Sequence, residues 1–132
     1  MIITSLRTLF KASTSINPLV SEVYVNAAKE SAALDYLLLT EIASDFNLRL
    51  DGTGGVVFTD VDVDCKAATY VKAQTLADTV KDYFQDFTGA AGDDTVKAVL
   101  LNGERSDYEP PQDKSDRGKH VITLDFNVQW ST

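Results

Sequence analysis

The residues of this chain with the most evident chemical potential are three aspartates spaced two apart, Asp60, Asp62 and Asp64. Apolar residues alternate with them, which predicts a β-strand with one buried face and one acidic face. Same-face neighbours on a strand lie about 7 Å apart, so these carboxylates could collect a cation only with help from other residues. An EF-hand loop starting at Asp60 would need glycine and glutamate where the sequence has Cys65 and Val71. We therefore interpret the face as a solvated acidic surface, and a small α+β domain that binds a ligand or metal there is the alternative function.

Covalent catalysis has little support, because the chain contains one cysteine and one histidine. Cys65 alternates in register with Val61 and Val63, which predicts a buried, unreactive thiol. His120 lies far along the chain, at the start of another strand pattern. The glycine-rich segment Asp51–Gly55 lacks the Gly-Lys-Ser/Thr of phosphate-binding loops and precedes a strand rather than a helix. The sequence therefore predicts no catalytic residue, cofactor or bound metal, and we expect the chain not to be an enzyme.

Length and charge narrow the class of protein further. The 132 residues suit a single domain, 1–132, and no apolar run approaches the roughly 20 residues that cross a bilayer. The first residues lack the pattern of a signal peptide, so we expect a protein that stays in the cytoplasm of the cell that makes it. The formal charge of −8 comes without any basic cluster. Such a chain is expected to repel nucleic acid, because nucleic-acid binders neutralise phosphates with Lys/Arg-rich patches.

The acidic strand belongs to a longer unit, Val56–Phe87, in which a strand leads directly into a helix. After Thr69 the apolar residues recur every three or four positions, which predicts a helix to about Gln85 with its apolar stripe on the core. Thr69 is the expected N-cap residue. Before this unit, the segment Leu37–Phe46 is expected to pair antiparallel with Val57–Lys66 as a hairpin.

The remaining patterns complete a small fold. They predict an N-terminal helix, a short β-type segment, a third main strand interrupted by the turn signal Asn102-Gly103, and a last strand with a clear apolar face; these are Met1–Lys11, Val23–Val25, Val96–Leu101 and His120–Trp130. Gly89–Asp94 is predicted to be a mobile connector, and Glu109–Lys119 an exposed loop. In the last strand, Trp130 continues the apolar stripe and is expected in the core or at an interface. Together the patterns predict an α+β fold: a mostly antiparallel four-stranded sheet, a long helix packed on one face, and the N-terminal helix.

Several motifs, in this order, give the chain a family resemblance. They are Val63–Tyr70 at the strand-to-helix junction, Leu76-Ala77-Asp78 within the helix, Glu104–Pro110 after the third strand, and Val121–Phe126 in the last strand. Together they resemble the small tail completion proteins of long-tailed (siphophage-type) phages, which include tail terminators, tail-to-head joining proteins and related proteins of prophages and gene transfer agents. The resemblance covers roughly residues 36–130.

This resemblance implies a structural virion protein that caps the head-proximal end of the tail tube, terminates tail growth and joins the tail to the head connector. It implies a homo-oligomeric ring, commonly a hexamer, with the tail tube protein and the head–tail connector or stopper protein as partners. DNA would pass through the lumen without specific binding, and no membrane would be involved. The protein would be found in the virion tail and, during assembly, in the host cytoplasm. The expected interface residues lie in the third strand and the following loop: Glu104, Arg105, Asp107, Tyr108, Glu109, Asp113, Lys114, Asp116 and Arg117.

Overall fold

The computed structural model describes residues 2–27, 34–48, 54–111 and 118–131. It contains two α-helices, a short 3-10 turn (Asn17–Leu19) and six strands. In chain order these are α1 (Ile2–Ala12), β1 (Glu22–Val25), β2 (Tyr36–Leu48), β3 (Gly54–Ala67), α2 (Tyr70–Phe84), β4 (Gly89–Ala91), β5 (Asp94–Glu109) and β6 (Lys119–Ser131).

The six strands form one mixed, curled sheet in the order β1-β2-β3-β6-β5-β4. The pair β1–β2 is parallel, and the four other pairs are antiparallel. The prediction of a four-stranded, mostly antiparallel sheet was therefore wrong. It failed at both edges, because β1 has four residues and β4 has three, and strands this short leave little periodic signal in a sequence.

Two local predictions in the second half of the chain were also wrong. The supposed mobile connector Gly89–Asp94 contains β4 and a tight turn in which Gly92 has a φ of 57°, so it forms a small hairpin with β5. Asn102-Gly103 does not interrupt the third strand. The register to β6 shifts there by one residue, and β5 continues to Glu109. Of the predicted loop, Glu109 and Lys119 are paired strand residues, and residues 112–117 lie outside the described residues.

The central strands and both helices enclose the core as their periodicity predicts. Val61, Val63 and Cys65 of β3 are fully buried beside the apolar face of β6, and the stripe of α2 packs on both strands. Phe84 lies at the centre of this core. Its ring meets those of Phe10 in α1 and Phe126 in β6 edge-to-face, at centroid distances of 4.9 and 5.1 Å.

Helix α1 connects the two edges of the sheet. The Ser5 hydroxyl donates to the buried carboxylate of Asp94 at 2.8 Å, where β5 begins. On the opposite edge, Arg7 Nε donates to the carbonyl of Val23 in β1 at 2.9 Å. Since one helix contacts both β1 and β4, the sheet must curl around it. Both helices therefore cover one face of the sheet, and the other face, called here the face without helices, carries no helix from the described residues.

Candidate functional site

The expected interface residues fall into two groups. Glu104, Arg105, Asp107, Tyr108 and Glu109 occupy the second half of β5, and all five are exposed. Asp113, Lys114, Asp116 and Arg117 lie outside the described residues. The sheet thus brings the first group together on one strand, while the alternation of a strand sends successive side chains to opposite faces.

Two of these side chains lie on the face that the helices cover. Glu104 accepts a charge-assisted hydrogen bond from Lys81 of α2 at 3.1 Å. Partial burial alone would lower the pKa of Lys81, but hydrogen bonds from its ammonium to Glu104 and Asp78 outweigh this effect, and its pKa is raised. The exposed part of β5 is therefore fixed to the helix rather than projecting on its own.

The second side chain on this face is part of an aromatic row. The ring of Tyr108 lies 4.9 Å from that of His120, which in turn lies 6.3 Å from that of Tyr70 at the start of α2. Tyr108 and Tyr70 are about half exposed, at 50% and 51%. Aromatic residues with one wet side are common anchors in protein interfaces. The sequence singled out Tyr108 but not Tyr70, because only the fold brings the two close to the same histidine.

A shallow apolar groove of about 260 Å³ lies along α2. Its rim includes Leu19 of the 3-10 turn and Val71 of α2, which are 39% and 73% exposed. Val71 follows Tyr70 directly on the first turn of α2, so this groove extends the apolar surface around Tyr70.

The face without helices is acidic and hydrogen-bonded. Asp64 accepts from the Thr123 hydroxyl at 2.7 Å, and Asp60 accepts from the Asn127 amide at 3.0 Å. Asp62 stands directly opposite Asp125 on β6. Its carboxylate is 17% exposed and lies 3.7 Å from Arg105.

These contacts perturb Asp62. Partial burial raises its pKa most, and repulsion from Asp125 and Asp64 adds to this, while Arg105 opposes it. Two of the three strand aspartates thus have hydrogen-bond donors, and the third has one long ion pair. Within the described residues, no group of three or more His, Cys, Asp or Glu side chains is arranged to hold a metal ion. The arrangement is that of a hydrated, negative surface.

On the same face, Glu109 accepts from Lys66 of β3 at 3.0 Å. Partial burial would lower the pKa of Lys66, but its hydrogen bond to Glu109 and the nearby negative charges raise it overall. The amino groups of Lys66 and Lys119 both lie within 6 Å of the ring centre of Tyr36, at 5.9 and 5.8 Å. The positive charges of Lys66 and Lys119 therefore offset part of the negative charge on this face.

The groups that could support nucleophilic chemistry are kept apart. Cys65 is fully buried, and its burial raises the pKa of the thiol far above the ordinary value. His120 contacts Tyr70 and Tyr108 rather than the thiol. Trp130 is 8% exposed and donates from its indole nitrogen to the Thr59 hydroxyl at 2.9 Å, which confirms it as a core residue. In the part of the chain that the structure covers, neither helix is long and apolar enough to span a membrane.

Comparison with known proteins gives a fold but no family. No family model matches the chain, and no curated protein matches it. Among solved structures, the chain resembles one in the virion of a native gene transfer agent particle, with a TM-score of 0.61 at 16% identity over 97% of this chain and 92% of that chain. This likeness shows a shared fold. A second solved protein aligns over 99% of this chain and 92% of its own at 17% identity, but its TM-score of 0.44 carries no argument.

Proposed function

We propose that this chain is a structural protein of a phage-type virion, and that it caps the head-proximal end of the tail tube as a ring. The observation that carries the proposal is the shared fold with a chain of a gene transfer agent virion, which extends over nearly the whole of both chains. The sequence resemblance to tail completion proteins, carried by motifs such as the strand-to-helix junction and the last strand, supports the same role. In this role the protein terminates tail growth and joins the tail to the head connector.

The charge of the molecule supports this role. A channel that DNA crosses must not hold the phosphates, and the net charge of −8 meets this need. The face without helices concentrates carboxylates and offsets them with few cations. A ring that presents this face to DNA would let it pass without specific binding.

The second half of β5 and the segment after it are the proposed contact with the tube or connector protein. Glu104 and Glu109 are already paired with Lys81 and Lys66, so we assign the contact mainly to Arg105, Asp107 and Tyr108. The side chain of Arg105 is 68% exposed, and its one ion pair is long at 3.7 Å. The charged residues of 112–117 follow directly in the chain and would extend this contact.

Deletion of the gene from the genome that encodes it tests the proposal directly. Electron micrographs of the particles should show heads without joined tails and tails of uncontrolled length, and the wild-type gene supplied in trans should restore joined particles. Joined particles with unchanged tail length would contradict the proposal.

Complementation with variants then tests the contact surface. We expect Arg105→Ala and Tyr108→Ala to restore fewer joined particles than wild type, because both side chains are exposed and contribute little to folding. Lys11→Ala, at the exposed end of α1, is the matched control and should complement fully. Equal complementation by all three variants would remove β5 from the proposed contact.

A further inference from the structure

The sheet has two open edges, and they lie on opposite sides. On β2, the partner strand β1 pairs only with Tyr36–Leu39. The stretch Thr40–Asp45, the β2 edge, pairs with β3 but has no described strand on its outer side. On β5, the partner β4 pairs only with Asp94–Val96, and Asp86 adds one backbone hydrogen bond to Val99. Beyond it, the stretch Leu100–Asp107, the β5 edge, pairs with β6 alone among the described residues.

The outer edge of β1, in contrast, is closed by side chains. In β1 the backbone N–H of Val23 donates to its neighbour Glu22 at 2.9 Å, and the carbonyl of Val23 accepts from Arg7 at 2.9 Å. Soluble proteins close edges in this way because unpaired backbone groups recruit other strands. The β2 and β5 edges lack such contacts in the described chain over most of their length, so they are available for pairing.

Exposed apolar side chains mark the same two edges. Ile42 on β2 is 57% exposed and Leu100 on β5 is 49% exposed, whereas none of the exposed large apolar residues in the described sheet belongs to β3 or β6. Ile42 sits at the register shift of β2, next to Ala43, and the ladder continues from Ala43 through Asp60 and Asn127 to Leu100. Ile42 and Leu100 therefore lie on nearly the same cross-strand row, at opposite edges of one sheet.

The two edges differ in charge. The β2 edge carries Glu41 and Asp45 and no cation. The β5 edge carries Glu104, Arg105 and Asp107, and Glu104 is paired with Lys81. Like charges oppose pairing of the β2 edge with a copy of itself, whereas the β5 edge offers it a cation in Arg105.

We propose that the β5 edge of one copy pairs with the β2 edge of a second copy, so that the sheet continues from subunit to subunit. Within one chain, three antiparallel pairings separate β2 from β5, so these strands run in opposite directions. A second copy in the same orientation therefore presents β2 antiparallel to β5. The contact is head-to-tail, and such contacts build a closed ring where the rotation between subunits closes. The inference rests on the proposed ring and specifies which surfaces build it.

Hydrogen exchange on the full wild-type chain tests the pairing without any substitution. Backbone amides of both edges should exchange about tenfold or more slowly in the assembled protein than in the dilute monomer, because each edge gains hydrogen bonds. Protection confined to the helices, or to one edge only, would overturn the proposal. A wild-type chain that stays monomeric at millimolar concentration in analytical ultracentrifugation would overturn it as well.

Edge-blocking variants test the direction of the contact. Ile42→Asp and Leu100→Asp should each be monomeric, while Thr8→Asp, which adds the same charge at an exposed position of α1, should assemble like wild type. An equimolar mixture of the two edge variants should form dimers and nothing larger, because only one intact pair of edges remains. Circular dichroism establishes that each variant is folded.

Rings that survive either edge variant, or a mixture that stays monomeric, would overturn the edge pairing. Those results would leave the proposed function standing if gene deletion still uncouples heads from tails. Conversely, edge pairing in a chain whose deletion leaves particles intact would refute the function and not the interface.

Discussion

Replacing Asp125 by asparagine is expected to stabilise the folded chain. Asp125 stands directly opposite Asp62 across the β3–β6 ladder, and like charges in this position oppose pairing. Among the described residues the Asp125 carboxylate accepts no side-chain hydrogen bond, so the amide loses no specific partner. The nearby Arg105, 3.7 Å from Asp62, compensates the repulsion only in part.

The size of the effect follows from the geometry. Cross-strand side chains lie about 5 Å apart, and two unit charges at that separation repel by about 0.8 kcal/mol in water and about 3 kcal/mol at an effective dielectric constant of 20. Asp62 is mostly buried but close to solvent and to Arg105, so a value near the lower limit applies. We expect Asp125→Asn to raise the free energy of unfolding by about 1 kcal/mol at pH 7, or roughly 3–4 °C in Tm.

The pH dependence provides the decisive test. The pKa of Asp62 is raised in the folded state above its ordinary value of 3.8, so the folded chain binds this proton more tightly than the unfolded chain. The repulsion therefore costs stability above the raised pKa and disappears below the unfolded value. In urea titrations, the advantage of Asp125→Asn should be full at pH 7 and nearly absent at pH 3. Asp45→Asn removes the same unit of charge away from the pair and should change little. A gain that persists at pH 3, or a loss at pH 7, would refute the reasoning.

Three further predictions concern the fold that supports the surface. Gly92→Ala should lower the free energy of unfolding by about 1–3 kcal/mol in urea titrations, because its φ of 57° disfavours a side chain and the new methyl would lie 3.1–3.3 Å from Ser5. Phe84→Leu should cost about 1–3 kcal/mol, since two edge-to-face contacts are lost; a double-mutant cycle with Phe126→Leu should show positive coupling, and strict additivity would contradict it. Thr69→Ala should cost about 1 kcal/mol by removing the N-cap of α2, and Thr69→Ser, which keeps the hydroxyl, should restore most of it.

The centre of the fold could be predicted because burial there is periodic. The alternation in β3 and β6 and the helical stripe of α2 each reflect one face turned to a common core, and the N-cap at Thr69 is a local signal that the structure confirms. The edges could not be predicted in this way. The parallel pairing of β1 with β2 joins segments separated in sequence, and its four residues are too few to show a period. Asn102-Gly103 is a local turn signal, but no turn forms there. The pairing of β5 with β6 continues on both sides of a single shifted residue.

The role of Glu104–Glu109 as an interface stays a prediction, and the arrangement of these residues could not be predicted from the sequence. The sequence resemblance selected the segment from Glu104 to Glu109, and its exposure agrees with an accessible surface. Its division into two faces depends on the register between β5 and β6, and the partners Lys81 and Lys66 depend on where α2 and β3 lie. These are tertiary facts without a local signal. The same holds for Tyr70, which joins the row through His120 only after the chain has folded.

The repulsion between Asp62 and Asp125 supports the interpretation that the charge of the acidic face serves a function. Asparagine at either position would keep the strand and remove the cost, so stability alone does not account for two opposed carboxylates in the middle of the sheet. Local conflicts of this kind are expected where a surface serves function rather than folding. In the proposed ring, a negative face beside DNA would use this charge to prevent phosphates from binding. If so, Asp125→Asn should make the subunit more stable while making DNA passage more sensitive to low salt, and separating these two effects distinguishes a functional charge from an accidental one.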